Sequence, residues 1–498
     1  MLARFDKYFL LIVAFTICLL LTFIYIPVEP DVANSPLVWR AFLDEGFKVL
    51  VDWKPTPDSW YFTIYPLHFL LFLFMDDSSL SPLIISTAIF SFVTAVSYSH
   101  VVFGYKNTRP FISLLFFLSL MSSCAMTYGY IAHPFSHNST NAFGAVSLVL
   151  LANVINGKSL FYGVLLSFAC LIAGVSDPWF LASYGLPILI TILISSAIKR
   201  NRATYITAIL YISIFLTCKT SIIQEYYGWP VAALTVQNFD VWLKNIKWIF
   251  LNLGSSLNIT PVNSEISYII SSCIWIVITL YSFILALKEK SLIITTMCLS
   301  VAAISAAFII SYESADAFSS RFIVNILYIA PALAFYVIYK TKNLYVSMAL
   351  ALCFISNISS YAGSKGPNVD QSHDAKDYIS FLKDNNLKFG YSEFWDMANI
   401  ITWKTGGDIT ITPVYFDKES GRMKLTWQRG QSFNSHRTKD YVARSPERKF
   451  ISIRKGEQCP SKDVCLTGVL NQFGSPDSIL KFKDRTILVY DREIDPFK

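Results

Sequence analysis

Long apolar runs alternate with short polar connections over the first 360 residues of this chain. The first run, Tyr8 to Ile26, has nineteen residues and no charge, which at 1.5 Å per residue is long enough to cross a hydrocarbon core. Further runs predict membrane-spanning helices near 80–105, 110–131, 141–156, 160–176, 178–198, 203–218, 266–287, 291–311, 322–339 and 344–360. The pattern therefore predicts an α-helical polytopic membrane protein with about eleven spans.

Two segments of the first long connection, residues 27–79, depart from this pattern. Trp60 to Met75 is apolar enough to be a span, but counting it as one would reverse every later loop and break the charge rule for membrane topology. We therefore expect a re-entrant or interfacial helix there. Asn34 to Trp53 repeats bulky apolar residues at helical spacing, which predicts an amphipathic helix on the membrane surface.

Basic residues mark alternate connections, such as those at Lys106, Lys288 and Lys340. Connections rich in Lys and Arg are typical of the cytoplasmic side. Alternation then puts the N-terminus inside, and it puts the large loop 219–265 and everything after position 360 outside.

The last part of the chain has a different composition. Of the 75 Asp, Glu, Lys and Arg residues, 40 follow position 360, so residues 361–498 are predicted to form a soluble domain. A helical pattern from Ala375 to Leu387 alternates with β-rich runs that begin at Lys388, Asp408, Lys449 and Thr486. This order predicts a small α/β domain, which is large enough to bury its own core.

Composition excludes an ordinary soluble protein, since 54% of the residues are hydrophobic and the mean hydropathy is +0.47. The formal charge of +7 does not indicate nucleic acid, because many basic residues mark the ends of spans. Cys459 and Cys465 lie in the polar tail and are expected to form a disulfide outside the cytoplasm. One such pair is weak evidence for zinc, because two further ligands are missing.

An acidic pair follows the first span directly. Glu29 and Asp31 stand in Pro27-Val28-Glu29-Pro30-Asp31, where lipid meets water. A carboxylate at this depth is a candidate base for the hydroxyl of a sugar when the other substrate keeps its lipid tail in the bilayer. Glu29 is preferred because it stands closer to the span. The alternative is that the two acids only hydrate the end of the helix.

A leaving phosphate needs a cation or a histidine to balance its charge. The candidates near the outer ends of spans are Arg321, Arg40, His133 and His137. Arg321 stands alone as a cation at the outer start of a span, against the charge rule. The two histidines could equally form a hydrogen-bonded loop pair without a ligand.

Aromatic residues are dense on the same side of the predicted bundle. Trp60, Tyr61 and Trp179 could stack on sugar rings, although an interfacial aromatic belt has the same composition. Asp177, in Ser-Asp-Pro-Trp, is a further candidate sugar contact. It could also be only the cap of the next helix, with Pro178 in its first turn.

Several short motifs carry a resemblance to a known superfamily. Glu29-Pro-Asp31, Trp60-Tyr-Phe-Thr-Ile-Tyr-Pro66 and Tyr128-Gly-Tyr-Ile-Ala-His-Pro-Phe-Ser-His137 are similar to outer-loop motifs of the GT-C glycosyltransferases, and Arg321-Phe322 with Pro331 resembles their late Arg-Tyr entry to a span. Where several of these relatives carry an acid in the third outer element, this chain has Ser136 before His137. The resemblance therefore implies no cofactor and leaves a divalent metal open.

Within that superfamily, the length and the external tail look most like the serotype-converting O-antigen glucosyltransferases of bacteria and their phages. Gly390-Tyr-Ser-Glu-Phe-Trp395-Asp396, an Ile-Thr run and Trp427 carry this part of the resemblance. It implies a GT-C-like catalytic domain over residues 1–360, in which an acid of the first outer loop is the base. The external domain, residues 361–498, would hold the acceptor, with Trp395 and Asp396 among its sugar contacts.

The implied function is an inverting glycosyltransferase in the bacterial inner membrane that works on the periplasmic side. It would move a hexose, expected to be glucose, from an undecaprenyl-phosphate donor to the O-antigen of lipopolysaccharide. A donor-making glycosyltransferase and a flippase are expected to supply that donor.

Two alternatives stay open at the level of sequence. An O-antigen polymerase or ligase has a similar number of spans, but we would not expect so large a folded tail. A transporter would need ionisable residues near the middle of the membrane and broken helices there. His100 is the main ionisable residue well inside a predicted span, which favours chemistry at the membrane surface.

Overall fold

The computed structural model describes residues 2–157, 159–199, 201–232, 235–425, 430–457 and 459–497, without the side chains of 2–6, 199 and 368–370. Trp427 lies outside the described residues. The chain is helical up to about residue 360, and a mixed β-sheet with its own helices follows. The predicted fold class, a polytopic helical membrane protein with a C-terminal α/β domain, is confirmed.

The helical part follows the apolar runs closely. Its helices are Leu2–Tyr25, Asn34–Glu45, Val49–Asp52, Tyr65–Phe72, Ser81–Phe103, Thr108–Ser119, Ser123–Thr127, His137–Ile155, Leu160–Ser176, Leu186–Lys199, Arg202–Lys219, Ile222–Tyr227, Phe239–Ser256, Glu265–Lys288, Leu292–Ser311, Val324–Thr341 and Leu344–Ser359. Within the described residues, seven helices are long and apolar enough to cross a membrane, namely Lys7–Tyr25, Ser81–Phe103, His137–Ile155, Leu181–Ile198, Glu265–Lys288, Leu292–Ser311 and Ala317–Thr341. A helix lies at each of the eleven predicted spans.

Two predicted helices are shorter than the sequence pattern indicated. The predicted span 110–131 ends at Ser119, and a new five-residue helix starts after Ser122, whose side-chain oxygen accepts a hydrogen bond from the Ala125 N–H. The predicted surface helix over 34–53 ends at Glu45. Gly46 follows it at φ 62°, a left-handed conformation that terminates helices.

The apolar segment Trp60 to Met75 contains the eight-residue helix Tyr65–Phe72. At 1.5 Å per residue it is about 12 Å long, which is too short to cross a membrane. His68 lies midway in this helix and is fully buried. Its Nδ1 is 2.7 Å from the Ser35 hydroxyl and its Nε2 is 2.6 Å from the Ser86 hydroxyl, so both ring nitrogens are used in packing the first connection.

Among its described residues, the C-terminal domain is built on a six-stranded mixed sheet. The strands are, in spatial order, Met423–Lys424, Thr410–Phe416, Phe389–Glu393, Lys449–Ile453, Arg485–Tyr490 and Ser478–Phe482. The second, third and fourth of these are parallel, and the outer pairings are antiparallel. The domain's helices are Asn368–Asp384, Ala398–Lys404, Lys439–Arg444 and Lys462–Phe473.

Side-chain alternation gives this sheet two apolar faces. Phe450 and Val489 belong to a core shared with Tyr378 of the first domain helix, whereas Ile451 and Leu488 belong to a core on the other face. The first of these cores continues into the connection 27–79 and includes Val32, Trp39, Trp53 and Trp60. The soluble domain is therefore packed directly onto the first connection of the membrane part.

A two-stranded antiparallel sheet reinforces this contact. Trp53–Lys54 pairs with Ser432–Phe433, with Trp53 opposite Phe433. Arg40 adds a second link, because its Nη1 donates to the Trp403 carbonyl at 2.8 Å. The sequence did not predict either link. The two strands are only two residues long, and Arg40 and Trp403 are 363 residues apart in the chain.

Candidate active site

The acidic pair lies where the first span ends. The helix Leu2–Tyr25 stops just before it, and Pro30 begins a 3₁₀ turn that carries Asp31. Proline is favoured in the first position of such a turn because its φ is already fixed there. The Glu29 side chain is 24% exposed, so this carboxylate keeps access to solvent or substrate.

His133 holds the first of these acids. Its Nε2 is 2.9 Å from Glu29 Oε1, and its Nδ1 accepts the Phe135 N–H at 3.0 Å. Since Nδ1 accepts, the ring proton is on Nε2 and is donated to the carboxylate. The imidazole is buried and stacks on the Tyr130 ring at 5.0 Å and 15°. His133 therefore fixes the orientation of Glu29.

Glu29, Asp31 and His133 each bring one possible ligand atom within 4.8 Å of the others. The two carboxylates suit a divalent cation. The histidine does not, because a metal would need the Nε2 lone pair and would move the ring proton to Nδ1, which already accepts the Phe135 N–H. In this hydrogen-bonded state the trio fits an oriented acid pair better than a metal centre.

A second histidine–acid pair lies in the adjoining part of the site. His137 begins the helix His137–Ile155, and its Nδ1 is 2.8 Å from Asp177 Oδ2, with both side chains buried. The other Asp177 oxygen accepts the Trp179 N–H at 3.0 Å. Asp177 thus caps the turn that follows it and also holds His137. Its contact with a sugar stays a prediction.

Aromatic rings enclose the second pair. The His137 ring stacks on Trp179 at 5.1 Å, lies 4.9 Å from Phe322, and is 6.1 Å from Trp60. Trp60 reaches this position through a left-handed backbone, φ 61°. Of the predicted aromatic contacts, Trp60 and Trp179 therefore lie beside the second histidine–acid pair, and their contact with a sugar stays a prediction.

Arg321 lies between the two histidine–acid pairs. It sits in the 3₁₀ turn Ala317–Ile323, which Asp316 caps from the preceding position. Its guanidinium is 5.3 Å from the Tyr130 ring centre, next to His133, and Phe322 joins it to the His137 pair. Burial raises the pKa of the Tyr130 phenol, and Glu29 raises it further, whereas Arg321 lowers it. A cation between two acid pairs is well placed to receive an anion.

Asp58 is a site residue that the sequence reasoning missed. Burial raises its pKa to about 6, and nearby Asp177 also raises it, whereas His137 and Arg321 lower it. The carboxyl is only partly exposed. Asp58 stands two residues before Trp60, in Pro-Asp-Ser-Trp, and this position was the feature of the sequence that could have pointed to it. A carboxyl that titrates near neutrality is suited to proton transfer.

Other predicted site residues make their contacts elsewhere. Arg40 pairs with Asp77, its Nη2 2.7 Å from Oδ1, and so connects parts of the fold. Tyr61 stacks on Trp229 at 4.6 Å, and its hydroxyl donates to the Trp53 carbonyl at 3.4 Å.

The predicted residues of the tail are bound within the C-terminal domain. Trp395 donates from Nε1 to Glu457 at 2.8 Å. Asp396 is buried and pairs with Arg485 at 2.7 Å. Cys459 and Cys465 are joined in a disulfide with a Cα–Cα distance of 6.1 Å.

An apolar cavity of about 400 Å³ lies between the helices Phe239–Ser256, Glu265–Lys288, Leu292–Ser311 and Val324–Thr341. The described residues that line it carry no charge; they are Ile246, Ile249, Phe250, Leu253, Trp275, Ile276, Thr279, Leu280, Phe283, Cys298, Leu299, Val301, Ala302, Ser305, Ile309, Ile326 and Ala330. Ile249 and Ile309 of its wall also pack in one cluster with Phe322. The cavity therefore borders the turn that carries Arg321.

No protein-family model matches the chain, and no curated protein sequence matches it. Two solved structures of the oligosaccharyltransferase of Archaeoglobus fulgidus are similar to the chain over part of their length. The first, a complex with Zn and sulfate, has a TM-score of 0.47 at 12% identity and covers 81% of this chain and 62% of that chain. The second is tethered to an acceptor peptide containing the NVT sequon via a disulfide bond. It has a TM-score of 0.47 at 11% identity and covers 82% of this chain and 64% of that chain. The chain thus spans less than two thirds of the length of these proteins.

Proposed function

We propose that this protein is a membrane glycosyltransferase that transfers a sugar from a lipid-linked phosphate to a hydroxyl of a second substrate. The observation that supports this most is the convergence of two histidine–acid pairs and Arg321. Chain segments around residues 29, 58, 133, 177 and 321 meet there, beside an apolar cavity. A sugar phosphate with a long apolar tail needs that combination of groups.

In the proposed reaction, Glu29 or Asp31 takes the proton of the acceptor hydroxyl. The acceptor oxygen then forms a bond to the anomeric carbon of the sugar while the bond from that carbon to the phosphate oxygen breaks. Attack from the face opposite the phosphate inverts the configuration. The products are the glycoside and the lipid phosphate, and the proton stays on the carboxylate.

The neighbouring groups support these steps in the proposal. His133 donates to Glu29 and leaves its second oxygen for the acceptor. Arg321 balances the charge that grows on the leaving phosphate. The apolar cavity receives part of the lipid tail, whose burial contributes about 0.8 kcal/mol per CH₂.

For the substrates, we propose undecaprenyl-phosphate hexose, with glucose as the first candidate, and lipopolysaccharide O-antigen as the acceptor. In this proposal the site faces the periplasm of a bacterial inner membrane. The support is the resemblance of the first-loop and tail motifs described above, together with the predicted topology.

The experiment is a transfer assay with the full-length protein in lipid nanodiscs. It uses undecaprenyl-phosphate [¹⁴C]glucose and lipopolysaccharide from a strain that lacks the gene. Glu29→Gln and Asp31→Asn are compared with Glu289→Gln, a control carboxylate that pairs with Lys340 at 2.7 Å. We expect one of the two acid variants to lose about 10²–10⁴-fold in rate, and the control to match the wild type.

The same assay tests the donor side and the alternatives. Arg321→Ala should weaken use of the donor, because the phosphate charge would be left unbalanced. If both acid variants, singly and together, transfer at the wild-type rate, the base is not in the pair, and Asp58 and Asp177 are the next candidates. If the wild type accumulates labelled substrate in vesicles without forming a glycan bond, the protein is a transporter and the proposal is wrong.

A further inference from the structure

The C-terminal domain reaches the acid pair through the segment that carries Gln431. The Gln431 N–H donates to the Lys54 carbonyl at 2.6 Å, directly beside the strand pairing of Trp53–Lys54 with Ser432–Phe433. On the far side of that pairing, the Ser435 N–H and hydroxyl both donate to the Asp52 carboxylate at 2.7 Å. The segment is therefore attached to the first connection at Gln431 and at the residues that follow it.

The Gln431 side chain contacts the second acid of the pair. Its Nε2 donates to Asp31 Oδ1 at 2.7 Å, across 400 residues of sequence. Because a carboxylate only accepts hydrogen bonds, the atom that contacts Asp31 is the amide nitrogen and not the amide oxygen. Gln431 is 5% exposed, and its Oε1 is buried without a hydrogen-bond partner among the described residues.

The backbone at this position is also strained. Gln431 has φ 63°, in the left-handed region that non-glycine residues rarely adopt. The Asn399 side-chain amide holds its carbonyl at 3.0 Å. At the preceding position, a Cβ on Gly430 would lie 2.9 Å from the Pro55 carbonyl oxygen, so the segment approaches the first connection as closely as a glycine allows. Strain and a buried unpaired acceptor both cost free energy, and such features are typical of functional positions.

We propose that Gln431 binds the acceptor sugar together with Asp31. In this inference, which rests on the proposed function, the free Gln431 Oε1 accepts a hydrogen bond from one hydroxyl while Asp31 accepts one from the neighbouring hydroxyl. The oxygen and the amino group of an amide are separated by a single carbon, so Oε1 is only one amide group away from the carboxylate that the amino group holds. Two adjacent acceptors match two adjacent hydroxyls of a sugar ring. The acceptor is thus a glycan residue with a vicinal diol, and the C-terminal domain completes the active site.

The test uses full-length protein in nanodiscs with undecaprenyl-phosphate [¹⁴C]glucose and lipopolysaccharide from the gene-deleted strain. Gln431→Ala should raise the KM for lipopolysaccharide by about 10- to 100-fold, the usual effect of a lost hydrogen bond in a site built for one. The KM for the donor should not change. Gln472→Ala is the matched control, because the side-chain bonds of Gln472 to described residues go to the Met423 backbone within the domain.

A second variant tests position rather than chemistry. Gly430→Ala keeps the Gln431 side chain but pushes its segment away from Pro55, so the acceptor KM should rise while thermal unfolding of the protein stays close to wild type. A third comparison uses acceptor glycans in which single hydroxyls are replaced by hydrogen. One such deoxy acceptor should react poorly with the wild type and be no worse with Gln431→Ala, because residue and hydroxyl form one interaction.

The outcomes separate this inference from the proposed function. A wild-type protein that transfers no sugar overturns both. A wild type that transfers sugar, with Gln431→Ala showing the wild-type KM for the acceptor, overturns the inference alone. The inference alone is also overturned if every deoxy acceptor reacts more slowly than the full acceptor by the same factor with wild type and with Gln431→Ala. Gln431 would then serve only to hold Asp31.

Discussion

The buried ion pair of the C-terminal domain offers a quantitative test of what Asp396 does. Its Oδ1 accepts from Arg485 Nε at 2.7 Å, and its Oδ2 accepts from the Ser452 hydroxyl at 2.8 Å. The side chains of Asp396 and Arg485 are 2% and 1% exposed. Sequence resemblance placed Asp396 among the acceptor contacts, whereas these contacts favour a role in holding the segment after the strand Phe389–Glu393 to the strands Lys449–Ile453 and Arg485–Tyr490.

Asp396→Asn keeps the volume of the side chain and removes its charge. The variant therefore isolates the electrostatic contribution of Asp396 to the stability of the domain. Loss of one partner from a buried pair typically costs about 3–5 kcal/mol, because the other charge stays buried. We expect the lower end, about 3 kcal/mol, since Arg485 keeps a second carboxylate, Asp374, at 3.3 Å. For a domain of this size that corresponds to a fall of about 10 °C in its unfolding temperature.

The assay is limited proteolysis of the full-length protein over a temperature series, with fragments of the C-terminal domain followed by blot. Asp491→Asn is the control, because Asp491 is 49% exposed and pairs with Arg448 at the surface, where a pair contributes about 0–1 kcal/mol. The reasoning is refuted if Asp396→Asn unfolds with the wild type but has lost transfer to the acceptor. That result would make Asp396 a substrate contact.

Three further predictions follow from single features. Asp58 has a pKa of about 6 in the folded protein, against 3.8 for the ordinary side chain, so its contribution to stability falls as the pH rises from about 4 to about 6. Asp58→Asn should therefore raise the unfolding temperature at pH 8 and leave it unchanged near pH 4, and equal shifts at both pH values would contradict this origin. Cys459 and Cys465 should appear as one linked peptide in non-reducing mass spectrometry, and two free thiols would be the contrary result. A periplasmic location of residues 361–498 predicts that a C-terminal alkaline phosphatase fusion is active and a β-galactosidase fusion inactive; the reverse pattern would reject the predicted topology.

Local sequence determined the elements that depend on local physics. The nineteen apolar residues from Tyr8 to Ile26 can only be buried in lipid or protein, and a helix satisfies their backbone groups. The strand Lys449–Ile453 begins at the residue where the sequence pattern predicted a β-rich run. Glu29 and Asp31 were recognisable because carboxylates at the end of a span are costly to place there without a use.

Helix ends were less predictable. The breaks after Ser119 and Glu45 depend on one capping side chain and one left-handed glycine. Each outweighs an apolar periodicity that would otherwise continue the helix. Periodicity reports which face of a segment is buried, and it does not report where the segment stops.

Only the tertiary structure decided which polar groups meet. Glu29 binds His133 across 104 residues, and Asp31 binds Gln431 across 400. Asp58 became a candidate because folding brings it close to Asp177 and Arg321, which no local pattern encodes. The site is made of contacts between residues far apart in the chain, and their cost in chain entropy is met by the cores that pack the first connection against the C-terminal domain.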